Sequence, residues 1–395
     1  MSRPDSRVSR RAVYRCGTSI DGRAGFRLRG DWGHVGVLEG GGHIAELNLN
    51  AKNGLNPLWR PPWKTIDPHK YRPRRDSRVY GPLPDGRLLA GIAGQNLSFD
   101  YFGPPSRDEV AAGRSTHGEA PSLRWAAESM SRRPSPTLCY GATLPESQIR
   151  FTRRISVECS WPVVYCEETA ENLSSFDRPI SWNEHVTFGP PFLECETAIV
   201  DMPAIRAKAC PPAYSSRPLV KPGAEFQWPL APAKNGGKIN LRTVPKMHFE
   251  HYTVQLLDPA RTIAFTSACN PRLGLLVVYI FRRADFPWVG NWVERYHQTH
   301  APWSGRTFCR GVEFSTTPFA IPRRETVDQN RLFGERVYRW LPARAALKVR
   351  YMILLFEVAS DFRGVADVVL GAGWAHVAES GPRARRLSIP VADFL

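Results

Sequence analysis

The sequence has 395 residues, 42% of them hydrophobic, which is enough for a sizeable core and too many for a mainly disordered chain. Lys and Arg number 53 against 37 Asp and Glu, a net charge of +16, but the charges are spread along the chain without a continuous basic block, so no nucleic-acid partner is expected. No run approaches the ~18 consecutive apolar residues of a membrane helix, so no membrane partner is expected either.

From the N-terminus, MSRPDSRVSRRAVYRCG is charged and lacks the apolar stretch of a secretory signal. The eight cysteines (Cys16, Cys139, Cys159, Cys166, Cys195, Cys210, Cys269 and Cys309) form no Cys-x-x-Cys pair and have no histidine at zinc-finger spacing. They read as reduced thiols of a cytoplasmic protein, with no metal site. Residues 1–25 read as an arm or edge strand, and 26–395 as a single domain.

Within that domain Pro (35) and Gly (31) recur between short apolar runs, which breaks long helices and favours strands joined by turns. The best helix candidate is short, SRDEVAAG at 106–113. In IRFTRRISVEC (149–159), Ile149, Phe151, Ile155, Val157 and Cys159 share a face. In ISWNEHVTF (180–188), Ile180, Trp182, Val186 and Phe188 face one way, broken by Glu184, and Ser181, Asn183, His185 and Thr187 face the other. The Pro-rich stretch 211–233 is a candidate boundary, but strand-like segments flank it on both sides. LGLLVVYIF (273–281) and YMILLFEV (351–358) read as strands buried on both faces. The expected class is all-β: one large antiparallel sandwich with few short helices.

Three segments carry residues suited to proton transfer. STHGEAPSLRW (115–125) places His117 before Gly118. WNEHVTFGPPF (182–192) places His185 between Asn183 and Thr187 on a polar strand face. CRGVEFSTTPF (309–319) points Val312 and Phe314 to one face and Gly311, Glu313 and Ser315 to the other. A lone histidine or glutamate on a strand is ordinarily structural. Two histidines and a glutamate on polar faces of apolar strands form a set that moves protons near neutral pH.

At these residues the sequence resembles the aldose 1-epimerase, or galactose mutarotase-like, superfamily. The order matches: an early His-Gly, a second His after ENLSSFDRPISWNEH (171–185), and a late Glu in GVEF (311–314). His117-Gly118 followed by Trp125 resembles the first-histidine motif of its hexose-phosphate epimerase branch. The resemblance implies a β-supersandwich and sugar-ring chemistry at the anomeric carbon, without a cofactor. It assigns Glu313 as base toward the C1 hydroxyl, His185 as acid toward the ring oxygen, and His117 as their support. The family's Asn-Arg pair is replaced here by Gln95-Asn96-Leu97, leaving Asn96 as a substrate-binding candidate and Arg124 as the candidate substitute for the arginine. The family's sugar-binding aspartate has no clear counterpart; His248 and His251 lie in its region, and His248 joins Asn183 among the binding candidates.

Aromatic segments suit a sugar's apolar face. NPLWRPPWKTIDP (56–68) offers Trp59 and Trp63, and DFPWVGNWVERYHQTHAPW (285–303) offers Trp288, Trp292, Tyr296 and Trp303. Trp288 and Trp292, beside Gly290, are expected to form a loop platform for substrate. The leading expectation is thus an epimerase-like isomerase. The alternatives are a carbohydrate-binding protein without turnover, and a lyase or hydrolase on a similar sandwich. The sequence leaves the oligomeric state open.

Overall fold

The computed structural model describes residues 17–382 and 384–395, so Cys16 and most of the proposed arm lie outside the described residues. Strands account for 46% of the described residues and helices for 10%. Two large antiparallel sheets, of twelve and eight strands, pack face to face. Between them lies a core that includes Phe99, Phe151, Trp182, Val186, Tyr279, Phe314 and Ile353. The alternating runs fold as their pattern dictates: Ile180, Trp182, Val186 and Phe188 enter this core from the strand Arg178–Phe188. No helix among the described residues is long and apolar enough to cross a membrane.

The middle of the larger sheet positions the site. Five strands lie side by side in the order Gln95–Asp100, Arg178–Phe188, Phe308–Ser315, Trp288–Arg295 and Phe249–Leu257. The meander from Thr18 to Leu49 extends one edge, and Ala204–Ala209 with Glu225–Phe226 extends the other. The Pro-rich stretch supplies Glu225–Phe226 to this sheet.

The strand Leu275–Arg282 explains the unbroken apolar runs. Leu275, Val277, Tyr279 and Phe281 pack into the core between the sheets. Leu276, Val278 and Ile280 point outward, where Val365, Val368, Ala375, Val377 and Ile389 of a three-stranded C-terminal sheet cover them. Leu354 and Met352 on Ala346–Glu357 are covered the same way.

The expected helix forms over Arg107–Ala111. Ser106 Oγ accepts from the Glu109 amide at 3.3 Å, and Glu109 Oε2 accepts from the Ser106 amide at 2.7 Å, a capping box. Three further short helices among the described residues, Pro73–Tyr80, Gly86–Gly91 and Arg323–Gln329, fit the few short helices expected but were not located in the sequence.

Glu184, the polar break in an apolar face, is buried in the intersheet core. Its Oε2 accepts from Gln95 Nε2 at 2.6 Å and lies 3.1 Å from Arg153 Nη2. Arg153 also pairs with Glu168, and Trp182 Nε1 donates to Glu168 Oε2 at 3.0 Å. A buried charge needs a partner, and here one arginine from the opposite sheet serves two carboxylates.

Candidate active site

The face of the larger sheet turned away from the second sheet carries the polar residues of its central strands. Asn183, His185 and Thr187 emerge on this face. Across one interface Asn96 is the direct partner of His185. Across the other, Asn183 pairs with Ser315 and Thr187 with Gly311, which sets Glu313 opposite His185. Glu313 in turn faces Gly290. A Cβ at residue 290 would lie 2.3 Å from Tyr252 Oη, so only glycine fits there.

His185 Nε2 lies 3.3 Å from Glu313 Oε1, and His185 Nδ1 lies 3.0 Å from Thr187 Oγ1. Asn183 Nδ2 donates to Glu313 Oε2 at 3.2 Å. His117 arrives from outside the sheet, on a turn with φ of +62° at His117 and +77° at Gly118. A Cβ at 118 would meet the Phe99 carbonyl oxygen at 2.2 Å, which accounts for the His-Gly pair. His117 Nδ1 accepts from the Gly103 amide at 3.2 Å, so the ring's proton sits on Nε2. The His117 and His185 rings meet edge to face, with centroids 5.4 Å apart.

The group is secluded: His185 is 5% exposed and Glu313 1%. Burial pushes the Glu313 carboxyl up to about 8, against the Asn183 hydrogen bond that favours its ionised form. Burial also draws His185 down to about 4, and burial with the neighbouring His185 draws His117 to about 3. At neutral pH the His185–Glu313 pair therefore holds one proton and carries no net charge.

Of the other sequence candidates, Asn96 and Trp292 join this group. Asn96 is fully buried beside His185, with both amide atoms lacking a partner. The Trp292 indole packs edge-on against the His185 ring at 5.8 Å. It continues into a cover in which Trp59 and Trp303 stack at 6.1 Å and Trp63 abuts both.

Three candidates are placed elsewhere. Arg124 is exposed and held by Glu39 at 3.0 Å. His248 is exposed, its ring against Tyr296. Trp288 does not belong to a loop platform. It opens the regular strand Trp288–Arg295 and is fully buried, with Nε1 donating to the Arg336 carbonyl at 2.8 Å. Residues 331–337, unremarkable in sequence, supply its cover through Leu332 and Val337.

Two residues of this face were not among the site candidates drawn from the sequence. Glu250 and Glu294 are direct partners across the strands Phe249–Leu257 and Trp288–Arg295. Trp292 Nε1 donates to Glu250 Oε1 at 3.4 Å, which links this pair to His185 through one indole. Burial, then Glu294, pushes Glu250 up to about 7, and burial pushes Glu294 to about 7. Their period-two placement with Trp292 was a usable signal, obscured by the flanking His248 and His251. His251 points to the opposite face, buried with both ring nitrogens unpartnered.

No family model matches this chain, and no curated protein does. Solved structures do. A candidate aldose 1-epimerase of Klebsiella pneumoniae aligns at TM-score 0.59 and 12% identity, over 83% of this chain and 77% of that one. A galactose mutarotase-like protein of Clostridium acetobutylicum aligns at 0.57 and 14%, over 87% and 98%. A galactose mutarotase related enzyme of Lactobacillus acidophilus aligns at 0.51 and 11%, over 85% and 98%. At such identities the likeness speaks for architecture, and this chain has the galactose mutarotase-like sandwich fold.

Proposed function

We propose that this protein is a carbohydrate isomerase that interconverts the anomers of a sugar by proton transfer between His185 and Glu313. The observation that carries the reading is their approach at 3.3 Å in a secluded site. Anomer exchange needs one acid and one base at once, and a pair holding one proton is both.

In ring opening Glu313 takes the C1 hydroxyl proton and His185 gives a proton to the ring oxygen. The bond from C1 to the ring oxygen breaks as C1 becomes a carbonyl. Rotation about the adjacent carbon–carbon bond presents the other face, and closure returns both protons. Burial alone favours the shared proton on Glu313. A sugar hydroxyl donating to the carboxylate, beside Asn183, shifts it toward His185, and closure exchanges the two roles. His117, with its Nε2 proton free to donate, steadies the ring oxygen. Only protons move, so the reaction calls for no cofactor. The Trp292 ring offers a surface for the sugar's C–H face.

Binding without turnover is favoured by one observation: Arg124 stays with Glu39, so the candidate guanidinium does not reach the site. Polarimetry on a panel of freshly dissolved aldoses, paired with calorimetric binding, decides between the two. Catalysed optical-rotation change for a bound sugar is the expected result. Binding with rotation at the uncatalysed rate for every sugar bound would leave the binding-only reading standing.

A further inference from the structure

Glu313, Glu250 and Glu294 lie on one face of the sheet, and among the described residues none forms an ion pair with a lysine or arginine. That is unexpected in a protein with 53 basic and 37 acidic residues. Glu313 faces Gly290 and Glu294 faces Glu250, with Trp292 between them on the shared strand.

Glu250 Oε2 accepts from Gln298 Nε2 at 2.7 Å. Glu294 Oε1 accepts from the His297 and Gln298 amides at 2.6 and 2.9 Å. Glu294 Oε2 has no partner, although the residue is 0% exposed. Like charges directly opposite on neighbouring strands are destabilising, so the pair is not explained by stability. Beside His185 the unpartnered buried atoms are mostly those of amides and a hydroxyl: both amide atoms of Asn96, Asn183 Oδ1 and the Ser98 hydroxyl, together with Glu313 Oε1. The face thus offers amide and hydroxyl groups around His185 and, at Glu250 and Glu294, two carboxyls without a basic partner, joined by Trp292. Arg217, whose carbonyl receives the Glu250 amide, is itself exposed.

We infer that the ligand is an aminosugar, an aldose carrying a free amino group, bound with its ammonium between Glu250 and Glu294 and its anomeric centre at His185 and Glu313. The inference rests on the carbohydrate reading above and narrows it. An ammonium supplies donors to Glu294 Oε2 and Glu250 and neutralises the pair, and the Trp292 face adds a cation–π contribution. A phosphate or carboxylate on the sugar would meet the Glu250–Glu294 pair with no basic partner, so acidic sugars are disfavoured.

The test is calorimetric titration near pH 7.5 with glucose, aminoglucoses bearing the amino group at C2, C3 or C6, N-acetylglucosamine and glucose 6-phosphate. At least one aminosugar should bind about tenfold or more tighter than glucose, the scale of a charge-assisted hydrogen bond. N-Acetylation should remove that preference, and Glu294→Gln should bring the amino-to-parent ratio close to one. Near-UV circular dichroism checks that the variant folds; if it does not, Glu250→Gln and the N-acetyl comparison on the wild type decide. Equal binding of glucose, tighter binding of the 6-phosphate, an unchanged ratio in the variant, or no binding by any panel member would each overturn the inference. Polarimetry separates the two proposals. Amino preference without catalysed mutarotation removes the isomerase alone, and catalysis on neutral sugars without that preference removes the aminosugar alone.

Discussion

Arg153 and Glu184 meet at 3.1 Å with neither side chain exposed, directly behind His185 on the reverse face of its strand. The arginine belongs to the second sheet and the glutamate to the first, so one ion pair bridges the sandwich under the site. Removing the arginine strands both Glu168 and Glu184 in the core. Arg153→Met should therefore cost about 3–5 kcal/mol in urea unfolding, the usual consequence of leaving a buried charge unpaired. A loss below about 1 kcal/mol would show that the two carboxylates accommodate each other without the cation.

His185→Asn and Glu313→Gln should each lower turnover by about 10²–10⁴-fold, the usual worth of a positioned proton-transfer group. Both variants keep the side chain's approximate size, so the fold should persist. Sugar affinity should change far less than rate. Equal losses in affinity and rate would indicate that the pair holds the sugar rather than moving its protons.

The rate should follow a bell with pH. Below about 4 the pair takes a second proton, on His185, and the base is lost; above about 8 the last proton leaves Glu313 and the acid is lost. Activity should thus be flat across neutral pH and fall on both sides, with limbs that belong to the pair. Initial rates corrected for uncatalysed mutarotation provide the measurement. A single step centred near 6.5 would mean that His185 titrates as an ordinary exposed histidine.

Gly290→Ala should destabilise the protein and slow it. The added methyl would sit 2.3 Å from Tyr252 Oη, whose proton is donated to the Pro318 carbonyl at 2.9 Å. Displacing that buried hydroxyl should cost about 1–3 kcal/mol, visible as a lowered Tm. Because residue 290 faces Glu313, the rate should fall as well. Unchanged stability would mean that Tyr252 moves aside freely.

What the sequence revealed follows from the range of each signal. Alternation is local, so the strand faces of Ile149–Val157 and Arg178–Phe188 were legible, and with them the polar set containing Asn183 and His185. Pairing is non-local. Nothing near Glu184 announces Arg153, and nothing near Glu250 announces Glu294. Trp288 was misplaced because its cover comes from residues 331–337, dozens of positions later. The helix Pro73–Tyr80 was hidden by its arginines, since only Asp76 and Tyr80 are buried.

The C-terminal three-stranded sheet has a consequence for solubility. Its residues Val365, Val368, Ala375, Val377 and Ile389 lie over Leu276, Val278, Ile280, Met352 and Leu354. A chain truncated before Val365 would expose a flat aliphatic field on regularly spaced strands, the kind of surface on which protein molecules stick to one another. Such a fragment could retain every residue of the candidate site and still be lost to aggregation.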